Sequence, residues 1–323
     1  MKAQSSAPWY LSQLPELDLE FDRFGGASAD VVLIAALSDR TNFSRLAEDV
    51  RVHFGGWDCL AVAWHARVLN TSAAFFAESD YARVGAHFLM SRCVIVLRER
   101  WRWASLVNLT RGVIARRGYE HVALLLDDVK LGSSFNASEL IALSKEQRLG
   151  VLSPRVHHGT YGVMEGHYTP IGWPQPGAGR AVRLSALEQY ATLYSRAAWE
   201  CMTSLMDDEV LHDAINVVGW GYDRCYQPHC EERFGGQALV PSQTATHCGS
   251  RGALYTHYRL GGLATRQLKM LGHWVRLRHN VSCSNYHLSV NQNLIKHRSG
   301  LPIRDTDSSE SLRCGQGMHA PTP

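Results

Sequence analysis

Two adjacent carboxylates, Asp127 and Asp128, follow directly on the apolar run Leu124-Leu125-Leu126. Neighbouring like charges repel. A hard divalent cation such as Mg²⁺ or Mn²⁺ relieves that repulsion and keeps coordination positions open for phosphate oxygens. The same pair could instead accept turn and helix-cap hydrogen bonds, but its place at the end of a buried strand favours the metal. Other phosphate chemistries fit poorly. The first strand is followed by Leu37-Ser38-Asp39-Arg40-Thr41, with no glycine for a dinucleotide or Walker loop. An aspartyl-phosphatase pair needs a second acid two positions after the first, where Val129 stands. Cys225, His229, Cys230, His247 and Cys248 do not reproduce the spacing of a zinc knuckle, so disulfides or buried thiols are expected there.

The elements that would position these acids can be read from periodicity. Val31 to Ala36 is a continuous apolar run of strand length, closed by the polar residues 38–41. From Asn42 the spacing turns helical, with Phe43, Leu46, Val50 and Phe54 on one stripe and Gly55-Gly56 as the stop. Leu60 to Trp64 and Cys93 to Leu97 read as further strands, and a helix is expected from about Trp101 to Arg117 before the strand Val122 to Leu126. Alternation of this kind builds a mostly parallel sheet covered by helices, with ligands beyond the carboxyl ends of the strands. Asn136 is expected to cap the next helix with Glu139 completing a capping box, Gly150 to end it, and Val151-Leu152 to form a short strand. His157-His158 reads as a loop pair, residues 168–179 as a loop over a site, and residues 186–206 as mixed strand and helix.

Composition narrows the function further. Apolar residues make up 45% and charged residues 20%, enough for a sizeable core. A net charge of +3 without a basic stripe argues against nucleic acid. No apolar run approaches the roughly 20 residues of a membrane helix, so no span is expected. The first ten residues lack the apolar segment of a secretory signal, which read literally places the chain in the cytoplasm. Eight cysteines, and sequons at Asn42, Asn70, Asn108, Asn136 and Asn280, point instead to a lumenal, Golgi or ER, glycoprotein.

Leu124 to Pro154 resembles the centre of a plant and algal family of glycosyltransferase-like proteins, long catalogued as a domain of unknown function and related to the GT-A superfamily. An acid triplet there follows a strand, and a later strand ends in Ser-Pro. Here the triplet is Leu126-Asp127-Asp128, with Leu126 replacing the first acid, and the later match is Leu149-Gly150-Val151-Leu152-Ser153-Pro154. Glu188 to Trp199 and Gly219-Trp220-Gly221-Tyr222-Asp223 are similar to two further family segments. Ala238 to Ser242, with Pro241 where the family has an acid, resembles the last strand, and His247 the histidine that follows it.

The resemblance implies an α/β, GT-A-like (Rossmann-type) mostly parallel sheet flanked by helices. The expected organisation is an N-terminal segment at 1–28, a glycosyltransferase domain at 29–260, a C-terminal extension at 261–299 and, where the chain turns polar and aperiodic past Ser299, a disordered tail at 300–323. The resemblance also implies a metal-dependent glycosyltransferase that binds a nucleotide-sugar donor and a glycan, lipid or protein acceptor. Asp127, Asp128 and His247 would hold Mn²⁺ or Mg²⁺, a neutral imidazole suiting Mn²⁺. Ser38, Asp39 and Arg40 would face the nucleotide together with Asp127, Trp220 would stack on the sugar, and Arg251 would neutralise the diphosphate. Asp223 or Glu188 would deprotonate the acceptor. Leu126 and Pro241 favour an alternative, a catalytically silent sugar- or nucleotide-binding protein with the same fold.

Overall fold

The computed structural model describes residues 30–37, 41–63, 80–97, 103–158, 162–163, 181–184, 187, 189–205, 225–248, 271–273, 275–278, 280 and 282–283. The segment boundaries at 28, 260 and 299, the loop at 168–179 and the tail lie outside the described residues.

Seven consecutive apolar residues make β1, Val31–Leu37, and all seven are buried, as a strand covered on both faces requires. Its side chains alternate between two cores: Val31, Leu33, Ala35 and Leu37 enter one, Val32 and Ile34 the other. The helix α1, Phe43–His53, starts where Asn42 accepts a bond from the Arg45 N–H at 3.1 Å, and its buried stripe joins the first core. β2 (Asp58–Ala63), α2 (Asp80–Arg92) and β3 (Val94–Leu97) follow, and α2 lies on the same face through Ala86 and Leu89. The chain then crosses the sheet. α3, Trp103–Arg117, buries Val113 and Ile114 in the second core before β4, His121–Leu125.

After β4 come β5 (Val129–Leu131), α4 (Ala137–Gln147), β6 (Leu149–His158), β7 (Gly162–Val163), β8 (Val182–Arg183), β9 (Ala191–Ser195), α5 (Arg196–Ser204), a π-helical turn (Gln227–Glu231) and β10 (Gly236–His247). The main strand order is β3-β2-β1-β4-β9-β6-β10-β5. β3, β2, β1 and β4 are parallel neighbours, β9 runs antiparallel between β4 and β6, and β10 is parallel to β6. This is the α/β, Rossmann-type, mostly parallel sheet flanked by helices that a GT-A-like fold requires. No helix among the described residues is long and apolar enough to cross a membrane.

Three local expectations change. β6 does not stop at Leu152 but runs through Pro154 to His158, so His157-His158 end a strand and are not a loop pair. Proline is admitted because Pro154 sits at the register shift with β10, where Val240 pairs with Pro154 and Thr244 with Arg155 and the ladder is already interrupted. The residues extruded on β10 include Gln243, whose side chain accepts from the Asn136 N–H at 3.1 Å and donates to Glu139 Oε2 at 3.0 Å. Gln243 therefore takes the reciprocal arm of the capping box expected from Glu139, while Asn136 Oδ1 accepts from the Glu139 N–H at 3.1 Å.

The third change concerns the end of α4. Arg148, not Gly150, adopts the left-handed conformation, at φ 53°. Gly150 is needed for close approach, because a Cβ there would lie 2.6 Å from the Phe234 carbonyl oxygen and 2.9 Å from that of Gly235. These two obstacles are backbone, and the Tyr226 hydroxyl would be met as well. Gly150→Ala is expected to cost roughly 1–3 kcal/mol, read as a lowered denaturation midpoint. An unchanged midpoint would show that the strand and the 234–235 turn separate freely.

Candidate metal and nucleotide site

β1 leads through α1 and α2 on one face to β2 and β3 on one side, whereas β4 lies on the other side of β1 and is reached by α3 on the opposite face. The crevice beyond the carboxyl ends of β1 and β4 is thus the topological switch point, the place where open α/β sheets bind ligands. Asp127 and Asp128 stand there. The Val129 N–H donates to the Leu126 carbonyl at 3.2 Å, so the two acids are the corners of a tight turn joining β4 to β5. Turn geometry and a metal-binding role are compatible, since the corners of a turn leave side chains free to converge on an ion.

The two acids have different partners. Asp127 is tied to the segment after β1. The Thr41 hydroxyl donates to its Oδ2 at 2.8 Å, and the Arg45 guanidinium donates to its carbonyl oxygen. Asp128 instead meets the far end of β10. Past the register shift, β10 pairs antiparallel with β5, matching His247 with Val129, and the Cys248 N–H donates to the Asp128 carbonyl at 2.6 Å. His247 Nε2 consequently lies 2.8 Å from Asp128 Oδ2. The imidazole stacks on Tyr190, with ring centroids 4.6 Å apart and planes 23° from parallel, and the Tyr190 carbonyl accepts from the Leu126 N–H at 2.9 Å. β10 therefore does not end before His247, as the strand-then-histidine resemblance implied; His247 is its last residue.

A divalent cation fits this donor set. Among the described residues, Asp128 Oδ1 is buried without a hydrogen-bond partner, while Oδ2 is used by His247. An orphaned carboxylate oxygen costs free energy that a cation would recover. Carboxylate oxygen and imidazole nitrogen together suit Mn²⁺ better than Ca²⁺. Arg45 supplies positive charge beside the acids; burial draws its guanidinium below its ordinary value, and Asp49, Asp128 and Asp127 oppose that shift. Ser38, Asp39, Arg40, Glu188, Trp220, Asp223 and Arg251 lie outside the described residues.

Sequence reasoning passed over Arg45, Tyr190 and Asp49. Arg45 did leave a signal: a cation in the first turn of a helix opposes the helix dipole, and α1 has no acid there to compensate. Asp49 left another, as an acid on the buried stripe of α1. It is 5% exposed and accepts from the Leu131 N–H at 3.3 Å. Burial raises its pKa to about 7, against the Leu131 bond and the charges of Arg45 and Lys130. A carboxyl whose folded pKa exceeds the unfolded value of about 4 takes up a proton on folding. Its contribution to stability is full below about pH 4 and is lost as pH rises through about 7. Asp49→Asn keeps the acceptor and cannot ionise. It is expected to match the parent near pH 4 and to be more stable by roughly 2–4 kcal/mol near pH 8, in urea titrations at the two values. Parallel pH profiles would contradict this.

A second cluster, Cys201, His229 and Cys230, brings three ligand-type atoms within 4.8 Å of one another. Both sulfurs are joined in a disulfide and are not available as thiolates. Cys59–Cys93 and Cys225–Cys283 are also bonded, Cys248 is in a disulfide too, and no cysteine among the described residues is free. The expectation of disulfides in place of a zinc knuckle therefore holds, and bonds of this kind are compatible with an oxidising compartment.

No family profile and no curated protein sequence matches the chain. Among solved structures, it is similar to a UTP-bound UGPase from Acinetobacter baumannii, at 11% identity and TM-score 0.42 over 75% of this chain and 98% of that one. It is also similar to an apo UDP-glucose pyrophosphorylase, at 10% identity and TM-score 0.42 over 77% and 99%. Likeness at this level decides nothing further, and the fold stands on the strand order and register given above.

Proposed function

We propose that this chain is a metal-dependent glycosyltransferase that moves a sugar from a nucleotide-sugar donor to a glycan, lipid or protein acceptor. The observation that carries the reading is the pairing of Asp128 with His247 at the switch point, with one carboxylate oxygen left buried and, among the described residues, unpartnered. Asp128 and His247, with Asp127 beside them, would hold Mn²⁺ or Mg²⁺. Bound there, the cation supplies Lewis acidity to the donor diphosphate.

The remaining steps belong to the chain. Thr41 and Arg45 fasten Asp127 to the start of α1, and Ser38, Asp39 and Arg40 would contact the nucleotide. Arg251 offsets the charge of the departing nucleoside diphosphate, and Trp220 packs on the sugar face. Asp223, or Glu188, accepts the proton of the acceptor hydroxyl as its oxygen bonds the anomeric carbon and the bond from that carbon to the diphosphate breaks. Chain placement in the secretory lumen belongs to the same reading, supported by the disulfides and sequons.

One observation favours the silent alternative: Leu126, which replaces an acid of the family triplet, packs against the first core. A screen of nucleotide-sugars for release of nucleoside diphosphate in Mn²⁺ separates the two. Turnover with one donor, lost on chelation, is expected. Metal-dependent binding of a donor without turnover, across a range of acceptors, would replace the transferase by the binding protein.

A further inference from the structure

We infer that Asn280 is an N-glycosylation site. Such a modification does not depend on the proposed transferase activity. Asn280 begins the sequence Asn280-Val281-Ser282, and both Asn280 and Ser282 are exposed. The residue closes the helical stretch 275–278. Its N–H donates to the Arg276 carbonyl at 3.0 Å, and its backbone is left-handed, at φ 54°. Asparagine tolerates that conformation better than other non-glycine residues, so the turn projects an amide on an outward corner. Among the described residues the Asn280 side chain has no hydrogen-bond partner. Asn42 and Asn136, by contrast, use their side-chain oxygens to cap α1 and α4.

A second observation places this sequon in the compartment where the modification is made. Cys283, three residues on, is bonded to buried Cys225. A disulfide in the same segment means that the segment folds under oxidising conditions. The corner is also anchored, because Leu271 and Val275 are fully buried in the second core. A glycan there would leave the packing intact. It would stand beside Leu277, which is 72% exposed and gains cover from a bulky polar neighbour.

The chemistry is a group transfer with a defined balance. The Asn280 amide nitrogen loses one proton and bonds the anomeric carbon of an oligosaccharide carried on a lipid diphosphate. The bond from that carbon to the diphosphate breaks, and the lipid diphosphate leaves with the electron pair. Nothing is oxidised or reduced.

The test is expression of the full chain behind a cleavable secretory leader, followed by peptide mass spectrometry after enzymatic deglycosylation in heavy-oxygen water. Conversion of Asn280 to isotopically labelled aspartate is expected. Asn280→Gln and Ser282→Ala should each remove the same single glycan step on a gel, with the Cys225–Cys283 bond still formed. Ser282→Ala matters because it leaves Asn280 itself in place. An unmodified Asn280 in lumenal chains, whether secreted or retained, overturns the inference, as does a full glycan count in Ser282→Ala.

Discussion

Replacing Asp128 by alanine is expected to weaken binding of a nucleoside diphosphate in Mn²⁺ by about 100-fold or more, with little change in melting temperature. The magnitude follows from position. Loss of an outer partner of a metal typically costs 10–100-fold in affinity, and loss of the ligand itself should cost at least that. Asp128 is the acid that faces His247, whereas Asp127 is turned to Thr41 and Arg45. Asp127→Ala should therefore spare affinity for Mn²⁺ alone more than Asp128→Ala does, and weaken nucleotide binding by loosening the segment after β1. His247→Ala should resemble Asp128→Ala in direction. Stability is predicted to hold because the Asp128 side chain is 42% exposed, so its pairing with His247 is worth no more than about 1 kcal/mol. Removing an orphaned oxygen offsets part of that loss. Mn²⁺ titration of the three variants, beside thermal melts, checks the ordering. A larger loss from Asp127→Ala than from Asp128→Ala would transfer the ligand role to Asp127.

Reduction of the disulfides should have the largest effect on the folded state. The bonded pairs are 34, 29 and 58 residues apart. In the chain-entropy description, closing loops of these lengths stabilises by about 3–4 kcal/mol each, before any strain. The sum is comparable to the 5–15 kcal/mol by which a typical domain is stable. Cys59–Cys93 staples β2 to the residue before β3, and Cys201–Cys230 ties α5 to the π-helical turn. Treatment with a phosphine reductant is expected to unfold the chain at physiological temperature. The double variant Cys59→Ala/Cys93→Ala should lower the melting temperature while leaving the other bonds closed. A chain whose thiols all titrate and whose melting temperature is unmoved would contradict both the stapling and the oxidising-compartment reading.

The parts of the fold that were legible in the sequence are those fixed by local periodicity. β1 announces itself because seven apolar residues in a row can only be a covered strand or a core helix, and the polar closure at 38–41 settles the length. α1 is legible because Asn42 and the stripe Phe43, Leu46, Val50 carry start, face and phase together. What could not be read depends on partners distant in the chain. Whether β6 ends at Leu152 or at His158 is decided by the interruption on β10, which makes room for Pro154. The second arm of the Asn136 cap comes from Gln243, more than a hundred residues later. The antiparallel insertion of β9 between β4 and β6 has no local signature at all.

The candidate site divides in the same way. The acid pair was visible because carboxylates directly after an apolar strand are chemically conspicuous. That Asp128 and not Asp127 meets His247 follows from the turn at 126–129 and the pairing of β10 with β5, neither of which spacing reveals. Tyr190 lies within the family-like segment Glu188 to Trp199, and its place as the platform under His247 emerges only from the sheet. Arg45 and Asp49 were both anomalies of α1, a cation at the positive end of a helix and an acid on its buried stripe. Each is explained by what it touches across the switch point.

The function proposed for this chain turns on Asp128 holding a divalent cation that in turn binds a nucleoside diphosphate. Isothermal titration of UDP and of GDP into the disulfide-intact chain, once in Mn²⁺ and once in excess chelator, tests it most directly. Binding of at least one of the two is expected in Mn²⁺, with its loss in chelator and no metal dependence in Asp128→Ala. Equal affinity in both conditions, or no binding of either nucleotide in Mn²⁺, would contradict it.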